Sequence, residues 1–404
     1  MEIFNSKKVL NTRSYRLENI DMLRGLVMLI MAIDHVRDLF MIAGVQDPMA
    51  QPDISTGLYL TRWITHFCAP VFVFLAGTSV GLMAKRKTKG ELAKFLTKRG
   101  IWLIIVEIVI ISTALSFSQI NGIEQLEGRI LITLQVIWAI GASMIVLAGC
   151  QYFGAKYCLI IGIIIVFGHD LLGSFWPSGD LFSGLNPFWY GMLTQSSTIH
   201  GSFLFITGYP LLPWIGVMLL GYGLAFIFEK EPSERDKTLF WGGVSMFTLF
   251  FIIRLTGFYG DPNPWHIHED SIKATIFDFM NLSKYPPSLL FLLATLGPMA
   301  ILCSYADKIN GRIKDLLVMF GRVPFAFYVV HWYLIRLMSF ALANYQGFEL
   351  KEMMTFFFFL PEGYGVSLTG VYIVWVLVIV IMYPFCFWVA KVKSVRKDWW
   401  LSYV

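Results

Sequence analysis

Charge is scarce in this chain. Only 15% of its 404 residues are Asp, Glu, Lys or Arg, while 56% are hydrophobic. Soluble domains run nearer a quarter charged, so the balance excludes an ordinary soluble fold and indicates a polytopic membrane protein. Cysteine is sparse too. Cys68, Cys150, Cys158, Cys303 and Cys386 are odd in number and sit in or beside apolar runs at no metal-ligand spacing. They read as small buried hydrophobes rather than a disulfide framework. Neither GxxxxGK[ST] nor GxGxxG occurs at a phosphate-binding turn, which removes support for nucleotide hydrolysis or hydride transfer. The basic residues form short flanks of apolar runs, not a folded basic face, so no nucleic-acid partner is expected. No cleavable signal peptide is expected either: residues 1–19 are polar and basic, and the first apolar run is long enough to stay as an anchor.

What the chain does have is long apolar runs. Hydropathy and breakers predict an all-α transmembrane bundle of about ten spans. They fall near 20–41, 58–84, 98–118, 130–150, 155–175, 209–228, 238–258, 286–305, 316–340 and 367–390. Residues 20–390 read as a single transmembrane domain, between a segment at 1–19 and a tail at 391–404. Lys and Arg crowd one set of connections: Lys7 to Arg16, Lys85 to Arg99, Lys230 to Lys237, Lys308 to Lys314 and Lys391 to Lys397. Connections 42–57 and 176–208 have none. The positive-inside rule therefore puts both termini in the cytoplasm of an inner (plasma) membrane protein.

One run is unlike the others. Ile20 to Phe40 (IDMLRGLVMLIMAIDHVRDLF) could span a bilayer, yet it carries Asp21 and Arg24 near one end and Asp34, His35, Arg37 and Asp38 near the other. Charges in a spanning helix are costly and usually face a protein interior or a watery cavity. Arg24 and His35 are eleven residues apart, which on a helix is about three turns plus 20°. Both therefore lie on one face, roughly 16 Å apart along the axis. Asp34 is about 100° round the helix from His35. Asp38, three residues on and on the same face, is the better orienting partner.

Depth then gathers the histidines. His35 lies some 9 Å below the outer end of its helix, His66 about 12 Å below the same surface, and His331 in the outer half of its own span. Together with Asp34 they are expected to line a polar chamber, and an imidazole suits removal of a proton from a hydroxyl or amine. Arg24, Arg99 and Arg322 begin long apolar runs at the inner surface, and converging arginines bind phosphate through bidentate forks. A phosphate at Arg24 with a thin arm reaching up the same face would end near His35, the geometry of a coenzyme-A pantetheine crossing the bundle. The outer connections 176–208 and 259–285 interleave Trp, Tyr and Phe with polar groups, as either a sugar-stacking surface or an ordered lid. The HxH pair in Trp265-His266-Ile267-His268 is a weak metal-site candidate, and no metal is expected.

The blocks DMLRGLVMLIMAIDHVRD, TRWITHFCAPVFVFLAGTS, FLTKRGIWL, LQVIWAIGASM, YPLLPWIGVMLLGYG and FGRVPFAFYVVHWYLI resemble the bacterial branch of the heparan-α-glucosaminide N-acetyltransferase catalytic-domain family. The opening RG with a His ten residues later is also similar to integral-membrane acyltransferases that O-acetylate bacterial surface polysaccharides. In those, an Arg and a His on the first helix, here Arg24 and His35, and a basic pair near the third, here Lys98 and Arg99, are the hallmark. The resemblance implies transfer of an acetyl group from cytoplasmic acetyl-CoA to a sugar across the membrane. There is one departure. The lysosomal enzyme of the family carries its proposed catalytic His in the loop leading into helix two; here PDISTGLYLTRW has none, and His66 follows about ten residues later.

The resulting expectation is an acetyltransferase. Arg24, Lys98, Arg99 and Arg322 would hold the acetyl-CoA phosphates, His35 or His66 would be the general base, and Asp34, Asp38 and His331 would complete the site. The expected partners are acetyl-CoA, a glycan or small-sugar acceptor and membrane lipids, with a homodimer left open. The alternative is a proton-coupled secondary transporter, which would also use intramembrane Asp, Glu and His.

Overall fold

A computed structural model describes residues 17–42, 54–173, 175, 181, 183–396, 398 and 401. Lys7, Lys8, Arg13, Arg16 and Lys397 lie outside the described residues, as do most of connection 42–57 and part of 176–208. Among the described residues the long helices, numbered here in chain order, are α1 (Glu18–Phe40), α2 (Thr56–Ala84), α3 (Lys89–Ser116), α4 (Val136–Phe153), α5 (Ala155–Gly173), α6 (Leu211–Glu229), α7 (Pro232–Thr256), α8 (Leu289–Tyr305), α9 (Pro324–Gln346) and α10 (Leu368–Val395). All but α1 and α8 are long and apolar enough to cross a membrane, which makes eight rather than ten. The other two correspond to the expected runs 20–41 and 286–305: α1 has 23 residues but six ionisable groups from Asp21 to Asp38, and α8 has only 17 residues. The protein is a polytopic helical bundle.

Local chemistry sets the ends. Ser55, Thr88, Ser288 and Ser367 cap α2, α3, α8 and α10, each side chain accepting a first-turn N–H. Gly257 and Gly347 end α7 and α9 in the left-handed region.

Three expected spans differ markedly from the structure. Residues 130–134, expected to begin a helix, form strand β1 (Ile130–Leu134). It lies parallel to β3 (Phe203–Thr207), which pairs antiparallel with β2 (Ser196–His200) in a small β1-β3-β2 sheet. ILITL is a short apolar, β-branched run, and periodicity alone does not separate such a strand from a buried helix. The expected span 316–340 is two helices, Arg312–Gly321 and α9, broken ahead of Pro324 because the residue before proline disfavours helical geometry. The expected span from 98 begins earlier, at Lys89, so Lys98 and Arg99 lie inside α3.

α1 is the axis of the bundle. It packs against helix Arg312–Gly321, α2, α8, α9 and α10. Its contact with Arg312–Gly321 is backbone to backbone. A Cβ on Gly321 would lie 1.8 Å from the Asp21 carbonyl oxygen, and one on Gly25 would lie 1.9 Å from that of Leu317. Small residues permit this approach, as they do in membrane helix pairs generally. Gly321→Ala is therefore expected to destabilise the protein by about 1–3 kcal/mol. A fall in the thermal midpoint in detergent checks this; an unchanged midpoint would mean the helices separate without loss.

Candidate functional site

The last two turns of α1 present Asp34, His35, Arg37 and Asp38 to a cavity of about 560 Å³, within the usual range for small-molecule sites. α2 contributes Arg62 and His66, the latter in a tightened 3-10 turn, Thr65–Phe67. Trp332 comes from α9 and Lys284 from the segment before α8. Phe356, Phe357 and Phe358 form an aromatic wall, and Gln135, Gln195, Asn263 and Asn281 add amides. Both long connections singled out in the sequence thus supply lining. The cavity also descends between α1 and α2 to Met31 and Phe72.

The imidazoles are chained. His331 Nδ1 lies 3.0 Å from the Phe327 carbonyl oxygen and 2.6 Å from that of Tyr328. A carbonyl only accepts, so Nδ1 carries the proton and Nε2 keeps a lone pair. His35 Nδ1 lies 2.7 Å from that Nε2, so it must donate. His35 is left with an unprotonated Nε2, the arrangement a general base needs. Trp332 stacks on the His35 ring with centroids 4.0 Å apart. His331 is wholly buried behind His35. It holds the orienting position that the sequence suggested for Asp38, whose carboxylate instead meets Arg37 at 2.6 Å. His66 lines the same cavity, edge-on to Phe291. Of the three histidines expected at one level, His35 and His331 are in direct contact, and His66 lines the same cavity as His35.

Asp34 is the electrostatic hub. Its carboxylate lies 2.9 Å from Arg37, 2.9 Å from Arg62 and 3.2 Å from Lys284. Sequence reasoning missed Lys284. Its available signal was a single cation next to Tyr285-Pro286-Pro287, on a side otherwise poor in Lys and Arg. Asp261 fixes that segment, accepting from Ser283 N at 2.9 Å and from Ser288 Oγ at 2.5 Å. Burial pushes the Asp261 carboxyl above its ordinary range, against the pull of these hydrogen bonds and of Arg254.

Glu107 sits in a π-turn of α3 and accepts from Trp138 N at 3.1 Å, capping the start of α4 beside Gln135. The HxH pair meets Asp278, with His268 Nε2 3.2 Å from its carboxylate. Among the described residues no group of three or more His, Cys, Asp or Glu is placed to hold a metal ion.

At the opposite end of α1, Arg24 reaches α2, donating to the Leu75 carbonyl oxygen at 3.2 Å and to Ser79 Oγ, with Asp21 at 3.5 Å. Arg322 follows Gly321, so it stands on the element packed against Asp21 and Gly25. Lys98 is exposed and Arg99 half-buried on α3. The seam between α1 and α2 thus has Arg24 at one end and the cavity floor at the other.

A family model described as heparan-alpha-glucosaminide N-acetyltransferase, catalytic, matches residues 16–255, more than half of the chain. The chain belongs to that family. No curated protein matches it. Heparan-alpha-glucosaminide N-acetyltransferase-like domains are membrane acetyltransferase domains, and the family uses acetyl-CoA as donor. The match contains Arg24, Asp34, His35, Asp38, His66, Lys98 and Arg99; Lys284, Arg322 and His331 lie beyond it.

Proposed function

We propose that this protein transfers an acetyl group from cytoplasmic acetyl-CoA to a hydroxyl or amine of a sugar on the far side of the membrane, with His35 as general base. The observation that carries this reading is the carbonyl–His331–His35 chain, which leaves His35 Nε2 free to accept a proton beside a cavity of ligand size. Arg24, Lys98, Arg99 and Arg322 receive the coenzyme-A phosphates. The pantetheine arm follows the α1–α2 seam, about 16 Å from Arg24 to His35. His35 Nε2 takes the acceptor proton as the acceptor oxygen or nitrogen attacks the thioester carbon. The C–S bond breaks, and the departing thiolate takes that proton back from the imidazolium. The aromatic wall and the cavity amides suit the faces and hydroxyls of a sugar ring.

Proteoliposomes test this against proton-coupled transport. The expected result is acetyl-CoA consumption that depends on an added sugar and is indifferent to a proton gradient. Gradient-driven solute uptake with acetyl-CoA untouched would establish the transporter instead.

His331 is a positioning residue. His331→Gln is expected to lower transfer roughly 10–100-fold and to move the acid limb of the pH–rate profile, because that limb belongs to His35. Reduced expression with the limb in place would assign His331 a structural role only.

A further inference from the structure

We infer that the acceptor carries an acidic group, a carboxylate or phosphate on the sugar, seated on Lys284 and Arg37. This rests on the reading that the acceptor occupies the His35 cavity. Among the described lining residues three are cations, Arg37, Arg62 and Lys284, against two carboxylates, Asp34 and Asp38. In a low-dielectric bundle such an excess is costly until an anion meets it.

The excess has an address. Arg37 is only 7% exposed. Its Nη2 lies 2.9 Å from Asp34 and 2.6 Å from Asp38, yet its buried Nη1 has no hydrogen-bond partner. A charged donor left unmet in a protein interior is unfavourable, and a ligand oxygen would relieve it. Lys284 is only 8% exposed. Its ammonium makes one described hydrogen bond, toward Asp34, and lies 5.3 Å from the centroid of the Tyr285 ring, which leaves protons for a ligand. A lysine near a membrane boundary usually extends its ammonium into water. Here the Asp261-braced segment turns it into the cavity instead.

The donor does not account for this charge. The phosphates of acetyl-CoA are assigned to Arg24, about 16 Å away along α1. The reacting carbonyl is small and uncharged when bound. A ring stacked on Trp332 or on the Phe356–Phe358 wall would set a substituent acid against Lys284 and Arg37, leaving another hydroxyl or amine for His35.

The test is calorimetric binding to the purified full chain, without acetyl-CoA, of matched sugars: glucose against glucuronate and glucose 6-phosphate, and glucosamine against glucosamine 6-phosphate. CoA release is followed in parallel for every sugar. At least one acid is expected to bind about tenfold or more tighter than the parent sugar that lacks the acid, as a charge-paired group should. Which acid does so separates a carboxylate from a phosphate site. Lys284→Gln should erase the preference and Lys284→Arg should keep it. Equal binding of acids and parents by the wild-type protein overturns the inference and points to a role for these cations in the reaction itself. A preference that survives Lys284→Gln overturns the assignment to Lys284. CoA release with the parent sugars as fast as with the acids sinks the acidic subsite and leaves the transferase standing. Acid-selective binding with no CoA release does the reverse.

Discussion

His35→Gln is expected to lower sugar-dependent CoA release by about 10²–10⁴-fold, the range general base catalysis supplies, with folding and acetyl-CoA binding preserved. Glutamine is close in volume and hydrogen-bonding reach but cannot take up a proton at working pH. Its amide can still donate to His331 Nε2, which lies 2.7 Å from His35 Nδ1, so the neighbouring helix α9 keeps its partner. The proposed site for the coenzyme-A phosphates at Arg24, about 16 Å away, is untouched. Paired measurements of acetyl-CoA affinity and CoA release on the same preparation check this. Transfer at the wild-type rate would move the base to His66, the other histidine lining the cavity.

Asp34→Ala is expected to destabilise the protein by about 3–5 kcal/mol, the cost of removing one partner from a buried ion cluster. Arg37, Arg62 and Lys284 all lie within 3.2 Å of that carboxylate. They come from α1, α2 and the segment before α8, so the loss acts on three elements at once. Asp38 does not substitute, because it already meets Arg37 at 2.6 Å. The check is the melting midpoint and yield of monodisperse protein in detergent, with Asp38→Ala as the milder comparison. Equal midpoints for Asp34→Ala and wild type would show that the three cations find other anions.

Much of this site is legible in the sequence. Charges inside the apolar run from Ile20 to Phe40 mark α1 as special without any partner being known, because a bilayer tolerates them only where they have a task. Depth estimates place His35, His66 and His331 together, and His35 and His331 do touch. The partner of His35 is not legible. Spacing on one helix favours Asp38, whereas the structure uses His331, 296 residues along the chain. Lys284 escapes for a related reason: a single cation in a loop has no periodicity, and its ion pair with Asp34 exists only in three dimensions. Strand β1 was hidden because Ile130–Leu134 shows no alternation once both faces are covered, and its partner β3 lies far along the chain. The task of Glu107 is not legible either: only the start of α4 beside it shows that its carboxylate caps a helix.

The measurement that goes most directly to the central claim follows the acetyl group itself. Acetyl-CoA labelled in the acetyl carbon is incubated with purified protein and a sugar, and the label is traced by mass spectrometry. Acetyl transfer at the His35 cavity requires one labelled acetyl on the sugar for each CoA released. Label appearing as free acetate, or remaining on CoA in well-folded protein across the sugar panel, would contradict it.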